Sequence, residues 1–211
     1  MACVAKICEE NEHVLSNACV PCDSGITNLA GDDASGADTS CDLPPEWTYT
    51  KSGFPQWEWQ GCPAGQLGGN CEGDASSTTH AEAVTYCQEL TWGGYDDWEL
   101  PNINQLRSLL TGCPQNEYQN TECPITHQCS YSTNVANTCG AELCLGCDGW
   151  SGPRSDGCYL PADLPGRCSY YWSSSLESAT YAYGVHFYNG IVGNNYLDLT
   201  YNKVRCVRSQ L

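Results

Sequence analysis

Two segments in the middle of the chain place apolar residues at helical spacing, and each begins with a capping signal. Thr79-His80-Ala81-Glu82 has the form of a capping box, and Asn102 follows Pro101 as a second helix start. The apolar positions after these starts recur every three or four residues: Ala83, Val84, Cys87 and Leu90 in the first segment, and Leu106, Leu109 and Leu110 in the second. The sequence therefore predicts two short helices.

The C-terminal third instead alternates apolar and polar residues, which is typical of strands. Val185 and Phe187 alternate with His186 and Tyr188, and Asn189-Gly190 then predicts a two-residue hairpin turn. Successive side chains of a strand point to opposite faces. We therefore expect Val185 and Phe187 in the core, and His186 and Tyr188 at the surface.

Two further pairs continue this alternation. Leu197 with Leu199 predicts one strand, and Val204 with Cys206 predicts a last strand that ends in Val207-Arg208. Because the helices come first and antiparallel strands follow, the predicted fold class is α+β.

The N-terminal 42 residues depart from this pattern. The stretch between Cys8 and Cys41 holds few large apolar residues and many turn formers, so disulfides must supply the order that a core cannot. Pro44-Pro45 marks a junction after it. We therefore divide the chain into a cysteine-rich module, residues 1–42, and a globular domain, residues 43–211.

Cysteine accounts for 17 of the 211 residues, a share typical of a disulfide scaffold. Cytosolic thiols are kept reduced, so the count indicates an extracellular or cell-surface protein. Cys19/Cys22 and Cys144/Cys147 are Cys-x-x-Cys pairs, but they lie far apart and the four histidines are scattered, which favours structural bridges over zinc. Neither pair opens a helix after a strand, as a thioredoxin-like redox site requires.

The formal net charge is −17, from 25 acidic and 8 basic residues. A negative surface repels phosphate backbones, and the same repulsion disfavours sulfated polysaccharides and anionic membranes. No apolar run approaches the length of a transmembrane segment. Residues 1–15 lack the basic start and apolar stretch of a signal peptide, so we expect a trimmed part of a larger secreted protein.

The N-terminal cysteines are spaced as in the small cysteine-rich repeats of extracellular receptors, which they resemble. The resemblance implies the bridges Cys8–Cys19 and Cys22–Cys41, although four cysteines allow three connectivities. Cys3 breaks the even count. We interpret it either as the last cysteine of a preceding repeat or as a bridge to another subunit, and both interpretations predict a larger assembly.

Five segments of the globular domain together resemble one bacterial family. In chain order they are Trp57-Glu58-Trp59-Gln60-Gly61-Cys62, AEAVTYCQEL (81–90), GGYDDWELPNINQLRSLL (93–110), Tyr171-Trp172-Ser173-Ser174 and Val204-Arg205-Cys206-Val207-Arg208. They are similar to the domain of unknown function 1566, also called the Lcl C-terminal domain, over about residues 47–211. The resemblance implies a C-type lectin-like fold, with two helices, a twisted antiparallel sheet and long loops. It also implies a surface or secreted binding domain rather than an enzyme.

The lectin-like resemblance further implies a disulfide between the first helix and the final strand. Here that bridge pairs Cys87 with Cys206 and closes a loop of about 120 residues, worth about 4–5 kcal/mol. Cys62 and Cys71 then pair across a Gly-rich loop. Family members commonly have a shorter connection where this chain has a cysteine-rich insertion, residues 113–168. Its eight cysteines predict a stapled surface lobe.

No convincing catalytic motif occurs. Asp96-Asp97 is interpreted as a solvated turn rather than as paired catalytic carboxylates. Glu99-Leu100-Pro101-Asn102 departs from the calcium-dependent sugar motif of true C-type lectins, and Asn102 already serves as a helix cap. The Asp-rich stretch 31–38 offers oxygen ligands without the spacing of a calcium loop, so we favour a solvated turn. We expect no cofactor, with calcium as the alternative.

The region with the most binding potential is 176–203, which is rich in tyrosine and asparagine. Tyrosine offers a large amphipathic contact area at low entropic cost, and asparagine adapts its hydrogen bonds. Strand-forming tyrosine with turn-forming asparagine is the structural alternative. The predicted ligand-binding residues are Tyr181, His186, Tyr188, Asn189, Asn194, Asn195, Tyr196, Asp198, Tyr201 and Asn202.

We therefore expect an extracellular, non-enzymatic ligand-binding or adhesion domain of a larger surface protein, which binds a protein or glycan on another cell or surface. The Tyr/Asn bias resembles the variable segments that retroelements diversify, so diversification of this region is a further hypothesis. Two alternatives stay open. One is a structural subunit of an extracellular filament that oligomerises through its N-terminal module. The other is an enzyme related to formylglycine-generating enzymes, which share the broader architecture.

Overall fold

The computed structural model of the protein describes residues 6–22, 28, 30–41, 46–114, 117 and 146–210. These residues form a mixed α/β fold with two short helices, three small sheets and six disulfides. No helix among them is long and apolar enough to cross a membrane. The elements are, in order, β1 (Glu12–Leu15), β2 (Ala18–Pro21), β3 (Thr48–Tyr49), β4 (Trp57–Gln60), α1 (His80–Glu89), α2 (Ile103–Ser108), β5 (Tyr170–Leu176), β6 (Tyr181–His186), β7 (Ile191–Tyr196) and β8 (Val207–Ser209).

All three sheets are antiparallel. In the N-terminal module β1 pairs with β2, and Cys8, Val14 and Ala34 form a small hydrophobic cluster of their own. In the globular domain β4 lies between β3 and β8, so this sheet joins the two ends of the domain. The third sheet has β6 between β5 and β7, and its strands carry five of the ten predicted binding residues.

The two helices begin where the capping signals predict. In α1 the Thr79 hydroxyl accepts a hydrogen bond from the Glu82 N–H at 3.3 Å, and the Glu82 carboxylate accepts one from the Thr79 N–H at 2.7 Å. In α2 the Asn102 side-chain oxygen accepts bonds from two N–H groups of the first turn. At the other end Lys51 Nζ donates to the Ser108 carbonyl at 2.7 Å. These contacts satisfy backbone groups that have no partner within the helix.

One hydrophobic core includes residues from Trp47 to Val207. The predicted helix faces contribute to it, since Ala83, Cys87 and the three leucines Leu106, Leu109 and Leu110 are buried. Trp59, Trp172 and Phe187 are among its largest fully buried side chains.

The end of the cysteine-rich insertion enters this core, so the expectation of a surface lobe is wrong for that part. Cys158, Tyr159, Leu160 and Leu164 are buried in the core cluster. The Tyr159 N–H donates to the Phe187 carbonyl at 2.8 Å, which holds the segment against the end of β6.

The turn between β6 and β7 is longer than predicted. β6 ends at His186 and β7 begins at Ile191, so four residues connect them rather than the two of Asn189-Gly190. The insertion provides the reason, because its backbone bonds to the turn. The Cys147 N–H donates to the Asn189 carbonyl at 2.6 Å, and the Trp150 N–H donates to the Tyr188 carbonyl at 2.8 Å.

Of two further strand predictions, the one at Leu197 and Leu199 is wrong, and the last strand is confirmed only at Val207-Arg208. Leu197 and Leu199 follow β7 in a turn and an irregular segment, and β8 begins only at Val207, after Val204 and Cys206. Leu197 contacts α1 rather than a neighbouring strand, and the carbonyls of Val204 and Cys206 accept bonds from Ala64 and Gln60, at and beyond the end of β4. The Leu197 carbonyl accepts a bond from the first N–H of α1, and Cys206 forms a disulfide with that helix.

Four of the six disulfides are the pairs that the two resemblances imply: Cys8–Cys19, Cys22–Cys41, Cys62–Cys71 and Cys87–Cys206. In the insertion the pairs are Cys113–Cys147 and Cys158–Cys168. Cys3 and the other four cysteines of the insertion lie outside the described residues.

Gly184 of β6 lies opposite Gly193 of β7, and the Tyr170 ring covers Gly184 and brings its hydroxyl to Gly193. A Cβ at position 184 would come within 2.3 Å of both the Tyr170 ring and the Tyr171 carbonyl oxygen, whereas one at position 193 would come within 3.2 Å of the Tyr170 hydroxyl. We expect Gly184→Ala to lower the free energy of unfolding by about 1–3 kcal/mol. Gly193→Ala is expected to change it by less than about 1 kcal/mol. Urea unfolding of the two variants measures the difference, and equal losses would contradict this packing.

Candidate functional site

Seven of the ten predicted binding residues form two groups, at opposite ends of the β6–β7 hairpin. The first group, which we call the tyrosine surface, consists of Tyr181, Tyr196, Asp198 and Tyr201. Tyr181 and Tyr196 are cross-strand neighbours with ring centroids 4.2 Å apart, and Tyr196 and Tyr201 are 52% and 62% exposed. A hydrogen bond with Tyr196 raises the pKa of the Tyr181 hydroxyl to about 12. A six-residue strand is about 16 Å long, so this group is separated from the second one.

The second group contains His186, Tyr188 and Asn189. The expectation that His186 and Tyr188 are exposed is met only in part, because both are half-buried in a row of rings. His186 lies 4.4 Å from Tyr188 and 5.6 Å from Tyr170, and Tyr188 lies 5.1 Å from Trp150, measured between ring centroids. Asn189 belongs to the turn that the insertion covers.

The remaining asparagines contribute less to an exposed surface. Asn202 is fully buried and its side-chain oxygen accepts a hydrogen bond from Asn195 Nδ2 at 3.1 Å, so its assignment to an exposed binding surface is wrong. Its backbone bridges to Thr78, beside the start of α1. Asn194 and Asn195 are half-buried in β7, where Asn194 is paired with the buried Tyr183.

A concave pocket of about 580 Å³ lies beside the second group. We call it the Trp150 pocket. Its lining includes Trp150, Arg154, Arg167, Gln66 and Asn70. Trp150 is 59% exposed, and its backbone has a φ of 57°, in the left-handed region. A bulky side chain is uncommon in that region, and such residues are concentrated at functional sites.

Hydrogen bonds and two disulfides build the walls of the Trp150 pocket. Arg154 donates from Nη1 to the carbonyls of Leu164 and Gly166, at 3.2 and 3.0 Å, and forms an ion pair with Asp156. The Gln66 side chain accepts a bond from the Arg167 N–H at 3.0 Å. The disulfides Cys62–Cys71 and Cys158–Cys168 each bring one cysteine to the lining.

A buried cation lies behind one wall. Arg205 is 1% exposed, and it donates from Nη1 to the carbonyls of Gln60 and Gly61 and from Nη2 to that of Pro165, at 3.1, 2.7 and 2.6 Å. Pro165 is part of the pocket lining. Burial lowers the pKa of the Arg205 guanidinium to about 10, so it still carries its charge at neutral pH.

The sequence did contain a signal for this pocket that the tyrosine and asparagine bias obscured. Trp150 stands between glycines in a polar insertion, where a large apolar side chain has no periodic pattern to place it in a core. Arg154 precedes Cys158 by four residues and Arg167 directly precedes Cys168, although the chain has only eight basic residues. An isolated tryptophan with two nearby arginines has the composition of a binding hot spot.

The acidic groups at Asp97 and in the Asp-rich stretch 31–38 form hydrogen bonds or ion pairs within the protein. Asp97 forms an ion pair with Arg208 at 2.6 Å, and hydrogen bonding to that guanidinium lowers the pKa of the carboxyl group. In the Asp-rich stretch, the Asp33 carboxylate accepts bonds from Ser35 and the Asp38 carboxylate accepts one from the Ser16 N–H. These bonds are those of a structured turn.

Among the described residues one group has metal-ligand types close together, namely Cys8, Glu12 and Cys19. The two cysteines are joined in a disulfide. Because a thiolate is the metal ligand, the oxidised pair does not form a metal site.

Two histidines predict a pH dependence of stability: His80 is buried and His186 is half-buried. Burial lowers the pKa of His80 and of His186 below the usual value. The unfolded chain therefore binds more protons, and stability is lost as the pH falls below about 6.5. We expect the unfolding temperature to fall between pH 7.5 and pH 5.5, and the variant His80→Gln/His186→Gln to show a shallower fall. An unchanged slope in that variant would contradict this assignment.

Comparison with known families assigns the chain to one of them. The model of the Lcl C-terminal domain matches residues 55–208, which is more than half of the chain. The protein therefore belongs to the Lcl C-terminal domain family, and this membership suggests an extracellular domain of a larger protein. Searches of the curated proteins and of the solved structures found no significant match.

Proposed function

We propose that this protein is an extracellular, non-enzymatic binding domain whose ligand contacts the Trp150 pocket. The observation that carries the proposal is the exposed ring of Trp150 at a concavity of about 580 Å³. Pockets of this size suit small ligands or one or two residues of a larger one. Tryptophan and arginine are, with tyrosine, the residues most enriched in binding hot spots.

The extracellular location rests on covalent chemistry and on the family. Six disulfides among the described residues fit an oxidising compartment. Two of them contribute directly to the walls of the pocket, through Cys71 and Cys168. A reducing environment would therefore weaken the site itself.

The chemistry of the pocket supports binding rather than catalysis. Among its described lining residues, the carboxylate is Asp156, and hydrogen bonding to Arg154 lowers its pKa further below neutrality. A general acid or base works best with a pKa near the working pH. An arginine side chain supplies charge and hydrogen bonds rather than proton transfer.

The pocket is favoured over the tyrosine surface because it is concave and its walls are braced. Trp150 is held by its ring contact with Tyr188, whose plane is tilted 48° to that of Trp150, and by its backbone N–H bond to the Tyr188 carbonyl. Tyr196 and Tyr201 are exposed on the end of a hairpin and the segment that follows it. A braced aromatic side chain loses less conformational entropy when a ligand binds.

Replacing Trp150 tests the proposal. The biotinylated protein, made multivalent on streptavidin, is applied to arrays of glycans and extracellular proteins and to intact cells. We expect Trp150→Ala to reduce the bound signal at least about tenfold, since hot-spot truncations cost about 2 kcal/mol or more. The matched control Tyr201→Ala, an exposed aromatic outside the pocket, is expected to bind as the unmodified protein does. Loss with Tyr201→Ala and not with Trp150→Ala would move the site to the tyrosine surface, and absence of any bound ligand would contradict a binding function.

We also propose that the globular domain has a C-type lectin-like fold. The support is the disulfide between α1 and the segment before β8, together with the pairing of β4 and β8 near the two ends of the domain. An experimental structure whose helices and sheets do not superimpose on that fold would contradict the proposal.

A further inference from the structure

The Trp150 pocket is a cationic site on an acidic protein. The chain has eight basic residues against 25 acidic ones. Arg154 and Arg167 line the pocket, and Arg205 lies directly behind its Pro165 wall. Burial raises the pKa of the nearby Tyr171 hydroxyl, and the positive charges of all three arginines act against that rise. The three guanidinium groups therefore act on the same small region.

These charges are incompletely neutralised. Within the part of the chain that the structure describes, the ion pairs join Arg154 to Asp156, and Arg208 to Glu58 and Asp97. Arg205 instead donates to three backbone carbonyls. The side chain of Arg167 is exposed and has no ion pair among those residues. Among the described lining residues the carboxylate is that of Asp156, and its ion pair is with Arg154.

The exposed Trp150 ring gives the same pocket an apolar wall. A ligand that satisfies both features carries a negative charge and a flat or apolar body. The planar guanidinium pairs best with a planar, bidentate acceptor such as a carboxylate. We propose that the Trp150 pocket binds a carboxylate attached to an apolar body, with Arg167 as the direct cation and Trp150 as the packing surface.

This inference rests on the proposed function and narrows it to a ligand class. The same chemistry is present in the C-terminal residue of a protein chain and in a free carboxylic acid. A cavity of about 580 Å³ holds either one, but not a folded partner. Arg154 has a different role from Arg167. Its bonds to Leu164, Gly166 and Asp156 make it a positioning residue for the pocket wall.

The test follows the indole N–H signal of Trp150 in 15N-labelled protein, assigned by its loss in Trp150→Phe. The probes are N-acetylphenylalanine, its primary amide, and the peptide N-acetyl-Gly-Gly-Phe with a free or an amidated C-terminus. We expect both acids to shift the signal saturably and both amides to bind at least about tenfold more weakly, because a charge-assisted hydrogen bond contributes about 1.5–3 kcal/mol. Tighter binding of N-acetylphenylalanine than of the peptide acid identifies a free carboxylic acid as the source of the carboxylate. Tighter binding of the peptide acid identifies the C-terminal residue of a protein chain.

Two charge variants complete the design. Arg167→Gln is expected to weaken binding of both acids at least about tenfold, whereas Lys6→Gln removes an exposed positive charge outside the pocket and is expected to leave binding unchanged. Equal binding of acid and amide, unchanged binding in Arg167→Gln, or no shift with any probe would overturn the carboxylate assignment. If that happens while Trp150→Ala still abolishes array binding, the proposed function stands and only the ligand class is wrong.

Discussion

Removing the disulfide between Cys87 and Cys206 is expected to lower the free energy of unfolding by about 5 kcal/mol. The two cysteines are 119 residues apart in sequence, and the bridge removes the corresponding loop entropy from the unfolded chain. Both are fully buried, so alanine is a better replacement than a polar residue. The measurement is urea unfolding of the double variant Cys87→Ala/Cys206→Ala. Because domains of this size have stabilities of about 5–15 kcal/mol, much of the variant is expected to be unfolded at 37 °C.

The matched control is Cys62→Ala/Cys71→Ala, which also removes a buried pair. These cysteines are 9 residues apart, and the same entropy argument gives a loss of about 2.5 kcal/mol. Both double variants lose buried sulfur packing. The difference between their losses in free energy of unfolding therefore reports the effect of loop length. Equal losses, or a larger loss for the short loop, would contradict the central role of the long bridge.

Arg205→Ala is expected to lower the free energy of unfolding by about 3–5 kcal/mol. The guanidinium connects the end of β4 to the pocket wall through the carbonyls of Gln60, Gly61 and Pro165. Removing it leaves three carbonyls without these partners and opens a cavity in the core. Truncation within a buried polar network has an effect of this size. Thermal and urea unfolding measure the loss.

Asp97→Ala is the control for that variant. Asp97 forms an ion pair with Arg208 of the same C-terminal segment, but its side chain is 55% exposed, and Arg208 keeps its ion pair with Glu58 when Asp97 is removed. Exposed ion pairs contribute about 1 kcal/mol or less. A loss for Asp97→Ala as large as that for Arg205→Ala would show that burial of the charged group is not what stabilises this part of the fold.

The helices could be predicted from the sequence because their signals are local. The capping box at Thr79 and the cap at Asn102 lie within three residues of the groups that they bond. The β6–β7 turn could not be predicted in the same way, since its geometry depends on backbone bonds from Cys147 and Trp150. Leu197 likewise lies in a turn that bonds to α1. Local periodicity carries no information on such distant partners.

The disulfide pattern was predictable only through resemblance, and the candidate site only in part. Tyr188 was selected by composition, and it does lie beside the pocket through its contact with Trp150. No periodic pattern points to Trp150 and Arg167, because they lie in an insertion that the Cys158–Cys168 disulfide and Arg154 fold into a wall. Asn202 had the right residue type, but β7 and the segment before α1 bury it.

Site-specific photo-crosslinking tests the central claim, that the ligand binds at the Trp150 pocket, most directly. A benzophenone amino acid is placed either at Ser155, an exposed residue of the pocket lining, or at Tyr201, which is exposed outside it. Each protein is irradiated on the cells or array ligands that the unmodified protein binds. Crosslinks from position 155, competed by excess unmodified protein and not by Trp150→Ala, are the predicted result. Crosslinks from position 201 alone would contradict it.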